Sequence, residues 1–241
     1  MKQTIWLLII MLSVFTSCKR QVIPADDVEL GKDYFPLTIG HFIEYDVDSL
    51  LFNDFTKTVD TFHFELKDVV ESEFADNEGR KSFIINRYKR QDATYPWKEN
   101  LTYYTTETNF NIEVVEENLR FIKMVFPVKV NTKWNGNIYL PATLSAELKW
   151  LSGWDYKYVN INEPFSTGFL NFENTVTINH VDNVVGDSLD ANNYSERTFS
   201  RERYAKNVGL ISREQVYWDY QSETSKYRKG FMIIFRAKNF N

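Results

Sequence analysis

The chain is poor in the residues on which most metal, redox and nucleotide chemistry relies. One cysteine in 241 residues, Cys18, leaves no intramolecular disulfide and no cysteine-built zinc site. The three histidines, His41, His63 and His180, lie far apart, with no His-x-His or His-Glu-x-x-His spacing. A metal centre would have to be assembled from distant strands with carboxylates, so three satisfied surface or edge histidines and no metal are expected. Nine glycines are too scattered to cradle a phosphate, and no Gly-x-Ser-x-Gly nucleophile motif occurs. Neither a cofactor nor an enzymatic activity is expected from the motifs. After Cys18 the strongest apolar run is Phe231–Phe235, far short of the roughly 20 residues that span a bilayer.

An excess of positive charge is also lacking. The chain has 28 basic and 33 acidic residues, a formal net charge of −5, with Lys and Arg interspersed among Asp and Glu. Such a surface repels a phosphate backbone, which argues against nucleic acid as a partner.

What the chain does have is aromatic residues, 16% of the total within 43% hydrophobic, arranged in alternation. In Thr61–Lys67, Phe62, Phe64 and Leu66 share one face while Thr61, His63, Glu65 and Lys67 share the other, as in a half-buried strand. Similar runs recur at Phe42–Val47, Ser82–Tyr88, Leu101–Thr106, Asn111–Val115, Leu119–Phe126, Tyr156–Ile161, Thr175–Val181, Thr198–Tyr204, Leu210–Trp218 and Gly230–Arg236. About a dozen strands at hairpin spacing predict an antiparallel all-β domain over 33–241. Its form is a sandwich or an incomplete, half-barrel-like sheet. Ala205–Gly209 reads as a hairpin turn, Asn207 and Gly209 being suited to positive φ. Leu66, Val69, Val70 and Phe74, and again Leu144, Leu148 and Leu151, fall at helical spacing, so one or two short helices are compatible with the pattern.

The N-terminus reads as a processing segment. Lys2 precedes the apolar stretch Trp6–Phe15, and Phe15-Thr16-Ser17-Cys18 closes it. This resembles a bacterial lipoprotein signal. The resemblance implies cleavage between Ser17 and Cys18, removal of residues 1–17, and an N-palmitoyl, S-diacylglyceryl Cys18. It also accounts for a lone thiol in an exported chain, and several acyl chains make a stable anchor. Residues 18–32, polar and with Pro24 and Gly31, read as the acylated cysteine and its tether. Lys19-Arg20 stands where surface-exported lipoproteins carry an acidic run, favouring the periplasmic face of the outer membrane over the cell surface.

The stretch Tyr34-Phe-Pro-Leu-Thr-Ile-Gly40-His-Phe-Ile-Glu-Tyr45, with Asn118–Lys123, Phe126-Pro127, Trp134-Asn-Gly-Asn137 and Tyr204–Leu210, resembles a group of envelope-anchored lipoproteins of Bacteroidota type. That group carries no assigned activity. Its motifs make sense as structure: Pro36 stiffens the lead-in, Gly40 permits a tight turn, and Phe42 and Tyr45 open the first strand. Trp134–Asn137 reads as a turn with an aromatic anchor.

The remaining candidate groups are weighed against solvated surface. Glu71 with Glu73, and Glu113 with Glu116 and Glu117, read as strand edges; a carboxylate-based hydrolase would need two of them facing across a cleft. Arg197, Arg201 and Arg203 share a strand face but have acidic neighbours, so paired surface charges are expected rather than an anion strip. Tyr95-Pro96-Trp97, Tyr103-Tyr104, Trp150, Trp154, Tyr156, Tyr158, Tyr217-Trp218 and Tyr220 are core rings or, if exposed in a row, a glycan platform. The reading is a lipid-anchored, non-enzymatic binding or structural module, with glycan binding, lipid or acyl-chain carriage, or hydrolysis as alternatives, and a glycan, lipid or protein as partner. Replacing Cys18 with alanine is expected to move the protein from the membrane to the soluble fraction; membrane retention of Cys18→Ala would contradict the anchor.

Overall fold

The computed structural model describes residues 29–141, 145–223 and 226–241. Cys18, the Ser17–Cys18 cleavage point and Leu144 lie outside the described residues. Twelve strands follow in order: β1 (Phe42–Asn53), β2 (Thr58–Ala75), β3 (Lys81–Arg90), β4 (Lys98–Glu107), β5 (Asn111–Glu116), β6 (Leu119–Val125), β7 (Lys133–Trp134), β8 (Tyr156–Ser166), β9 (Asn171–Val185), β10 (Ser195–Ala205), β11 (Gly209–Tyr220) and β12 (Arg228–Phe240). All belong to one sheet, in the order β6-β5-β4-β3-β2-β1-β12-β11-β10-β9-β8-β7. Every pair is antiparallel and, apart from β1 with β12, joins neighbours in sequence. The sheet curls into an incomplete barrel whose open seam lies between β6 and β7. One continuous sheet replaces the two packed layers of the sandwich alternative.

The stretch from Leu66 to Phe74 is strand, within β2, and not the short helix its spacing allowed. Its apolar residues pair with β1 and β3 on both sides, and that tertiary pairing overrides a periodicity too short to specify a helix. The second helical candidate appears as a 3-10 turn, Ala146–Leu151. The β10–β11 turn forms as expected, with Asn207 at φ 61° and Gly209 at φ 99°.

One end of the barrel is capped by the segment leading into β1. Tyr34, 2% exposed, packs among Ile112, Val114, Met124, Tyr156, Tyr158 and Tyr204. Phe35 leans on Tyr204 with centroids 5.7 Å apart. Backbone bonds pin the cap: Asn207 N to Asp33 O at 2.6 Å, Gly40 N to Val70 O at 2.8 Å and Val128 N to Leu30 O at 2.9 Å. Gly40, at φ 86°, makes the turn that lets Phe42 start β1, and His41 Nε2 sits 2.9 Å from Val208 O.

Isolated bonds cross the seam where no ladder runs. Trp134 Nε1 donates to Ile122 O at 2.8 Å, and Ile122 N donates to Gly136 O at 2.8 Å. Further along, the Tyr158 hydroxyl accepts from Val125 N at 2.9 Å and donates to Val125 O at 2.7 Å. These bonds satisfy edge groups that would otherwise template further strand pairing. The Trp134–Asn137 motif is thus the seam clasp: Asn137 Nδ2 holds Leu151 O at 2.6 Å, and Asn137 Oδ1 receives the Tyr156 hydroxyl at 3.0 Å. At Gly136 an added Cβ would lie 2.4 Å from the Tyr156 ring. Gly136→Ala is therefore expected to cost about 1–3 kcal/mol in urea unfolding through overpacking; an unchanged midpoint would show that the clasp does not hold this ring.

Candidate functional site

Alternation places two ionisable groups inside the barrel. On β6, Lys123 shares its face with Leu119 and Phe121, and on β9, His180 shares its face with Val176 and Ile178. A β-bulge sits at each: Ile122 pairs with Glu113 and Met124 with Ile112, leaving Lys123 as the extra residue, and Val181 pairs with Ser200 and Asn179 with Arg201, leaving His180 unpaired. Each bulge breaks the alternation after that residue, so that Met124 and Val181 also pack against the core, and Lys123 and His180 are buried at 7% and 1% exposure.

Around them runs a belt of charge. Glu202 has no exposed surface; its Oε1 receives Lys123 Nζ at 3.0 Å and Arg213 Nε at 2.8 Å, and its Oε2 receives the Tyr204 hydroxyl at 2.7 Å. Arg213 NH1 reaches Glu116 at 4.0 Å. Glu116 accepts from Arg87 at 2.8 Å, and Arg87 grips Asp68 through both Nε and NH2, at 2.7 and 2.8 Å. The Tyr103 hydroxyl donates to Asp68 at 3.0 Å. Three cations and three carboxylates therefore balance across β2, β3, β5, β6, β10 and β11.

Burial sets the protonation states. It pushes the Glu202 carboxyl up, but Lys123 and Arg213 outweigh it and hold the group well below the usual carboxylate range. Glu116 is likewise lowered, burial being overcome by Arg87 and then Arg213. For Lys123 burial wins against Glu202 and lowers the ammonium from its ordinary value. His180 is driven down to about 3, mainly by burial, so it is neutral at physiological pH.

His180 Nδ1 lies 3.0 Å from Ser200 Oγ, and Nε2 faces Glu202 at 3.4 Å without a hydrogen bond of its own. This brings a serine, a histidine and an acid together. All three are at most 1% exposed, and the imidazole is stacked on Tyr156 at 3.9 Å. Neither Ser200 nor His180 lines the cavities on either side of the belt, so a substrate carbonyl has no approach to the hydroxyl.

The belt divides the interior. Toward the capped end lies a cavity of about 70 Å³, walled by Phe35, Leu37, Tyr45, Val70, Ile85 and Tyr103. On the other side an open cavity of about 350 Å³ is walled by Phe64, Leu101, Leu119, Phe121, Trp150 and Ile233. Arg87, Glu116, Lys123 and Arg213 form its charged floor, and Lys89, Asn100, Glu117 and Gln215 add polar groups to its lining. The 3-10 turn lies over this end, with Leu148, Trp150 and Leu151 facing the cavity.

The sequence-derived candidates distribute unevenly. His180 is not a surface or edge histidine but a core residue, because it shares the inward face of β9 with Val176 and Ile178. His63 is exposed, and together with Asp46 and Asp48 it forms a cluster with ligand atoms within 4.8 Å of one another. Arg236 NH1, 2.6 Å from Asp48 and 3.4 Å from Asp46, already supplies the cation there, so the donor set does not call for a metal. Glu113, 2% exposed, lies under Arg80 and Arg120 and not at a wet edge; Glu116 joins the belt. Glu71, Glu73 and Glu117 are exposed. Arg197 pairs with Asp182 and Arg203 with Glu214, as expected of paired charge, while Arg201 bonds the neutral amide of Asn179; their strand, β10, lies within the sheet and not at an edge. Trp154 and Trp218 are buried, and Trp97 lies half-buried with Arg90 4.1 Å over its ring, so these three form no row of exposed rings. Ion pairs such as Lys67–Glu44, Arg90–Glu65 and Lys238–Glu65 stud the outer wall. Among the described residues no helix is long and apolar enough to cross a membrane.

No protein-family model and no curated protein matches the chain. Two solved structures are similar. One, from Bacteroides fragilis, is described as an exported protein with a YmcC-like fold, with 10% identity over 86% of this chain and 98% of that one and a TM-score of 0.39. The other, described provisionally as a lipoprotein of Parabacteroides distasonis, has 9% identity over the same shares and a TM-score of 0.39. At that level the likeness carries no functional argument.

The neutral His180 gives a pH test. Its folded pKa lies below the unfolded value near 6.5, so the unfolded chain takes up the proton first and stability falls as pH drops below about 6.5, by at most about 1.4 kcal/mol per unit. His180→Gln is expected to remove that slope between about pH 6.5 and 5, above the range in which Glu202 and Glu116 contribute. Urea midpoints across this window that decline equally in both proteins would contradict a buried neutral imidazole.

Proposed function

We propose that the chain is a lipid-anchored, non-enzymatic envelope module that receives an uncharged, largely apolar small molecule in the open half of its barrel. The observation that carries this reading is the 350 Å³ cavity, with Phe64, Leu101, Phe121, Trp150 and Ile233 in its walls above the charged floor. Its size falls within the range of small-molecule sites. The floor cations Arg87, Lys123 and Arg213 are already paired with Asp68, Glu116 and Glu202 of the belt, so a buried ionic ligand would have to compete with those carboxylates to recover its desolvation cost. A neutral molecule with one hydrogen-bonding end has no such cost, and an uncharged lipid or acyl derivative meets that description.

The same belt speaks against catalysis. A general acid needs a carboxyl with a raised pKa, whereas Glu202 and Glu116 are held as anions.

The tether bears on orientation in this reading. Glu29, eleven residues on from Cys18, pairs with Lys206 at the capped end, and it can stand at most about 40 Å from the anchor. Attachment at the capped end supports a module on the periplasmic side of the outer membrane whose open mouth is the end free of the tether.

Titration with N-phenyl-1-naphthylamine, an uncharged apolar fluorophore, tests the cavity. Saturable binding that changes little over a roughly tenfold rise in salt is expected, together with its loss in Leu101→Trp, which fills the cavity. No binding, or full binding by Leu101→Trp, would overturn the reading.

A further inference from the structure

At the rim of the open end lies a second concavity, a groove of about 670 Å³ that meets the interior cavity only at Trp150. Its aromatic floor is continuous. Tyr217 lies nearly flat on Trp150, with centroids 5.7 Å apart and planes at 21°, and Phe231 stands edge-on to Trp150 at 5.3 Å. Tyr217 and Phe231 are placed side by side by the β11–β12 register, and the 3-10 turn brings Trp150 onto them.

Polar groups edge this floor. Asp54 comes from the β1–β2 turn, Asp219 and Gln221 come from the end of β11, and Lys229 stands opposite Asp219 on β12. Asp54 has no ion-pair partner among the described residues. Among those residues Asp219 holds only long contacts, Tyr217 OH at 3.4 Å and Gln221 Nε2 at 3.3 Å, which leaves its carboxylate acceptor capacity to spare.

We infer that this groove binds a neutral oligosaccharide. Ring faces take up the apolar C–H face of a pyranose. Carboxylates and a carboxamide accept and donate in one plane, as vicinal hydroxyls require. An apolar ligand would leave these polar groups desolvated and unpaired, and a peptide would not need so extended a ring floor. The inference does not depend on the interior ligand, and the mouth position suits a soluble sugar.

Calorimetric titration of the full chain with neutral gluco-, xylo- and N-acetylchito-hexasaccharides provides the test. At least one is expected to bind, with affinity falling about tenfold or more in Tyr217→Ala and in Asp219→Asn, both with unchanged circular dichroism. Leu101→Trp, which fills the interior cavity, is expected to bind the sugar as the unaltered protein does, which separates this site from the interior one. Failure of all three sugars to bind, or binding that withstands both groove substitutions, overturns the inference.

Discussion

Glu202 imposes the condition that the remainder of the interior meets. A carboxylate removed from water loses several kcal/mol of hydration, and at no exposure Glu202 recovers it only while Lys123, Arg213 and Tyr204 are all in reach. Arg213 and Tyr204 lie on β11 and β10 beside it. Lys123 does not: it comes from β6, the free edge, and reaches β10 across the interior. This ion pair, with the longer Arg213–Glu116 contact and the seam hydrogen bonds, thus ties together the two halves of a sheet that no ladder closes.

From that tie the other features follow. β6 turns the Lys123 ammonium inward beside Phe121, and β9 tucks the neutral His180 imidazole behind the same carboxylate. Continuing through Arg213, Glu116, Arg87 and Asp68, the belt keeps polar matter in the middle of the barrel and apolar matter at its ends. One end is filled by the cap around Tyr34 and Phe35; the other stays open enough to hold a ligand. The seam clasp of Trp134, Gly136 and Tyr158 supports this arrangement from outside the belt.

Much of the scaffold is legible in the sequence, because a period of two and the turn residues act locally. Alternation at Thr61–Lys67 marks β2, and Asn207 with Gly209 marks the β10–β11 turn. The cap is foreshadowed by Pro36 and Gly40, whose backbone preferences hold in any context. The belt is not legible. Alternation puts Lys123 on the face of Leu119 and Phe121 and His180 on the face of Val176 and Ile178, but nothing local says which distant side chains will meet them there. Glu113 and Glu116 look like wet-edge carboxylates until strands distant in sequence bring arginines over them. The groove is equally hidden, since Asp54, Trp150 and Tyr217 are joined only by the closure of the barrel.

The most direct test of the Glu202 tie is a double-mutant cycle between Lys123→Met and Glu202→Gln, read by urea unfolding. Each single change leaves the buried belt with one unbalanced charge and is expected to cost about 3 kcal/mol. The double variant is expected to recover a large part of their sum, giving a coupling of about 2 kcal/mol or more. Single costs below about 1 kcal/mol, the level of an exposed pair, or strict additivity, would show that the barrel does not depend on this interaction.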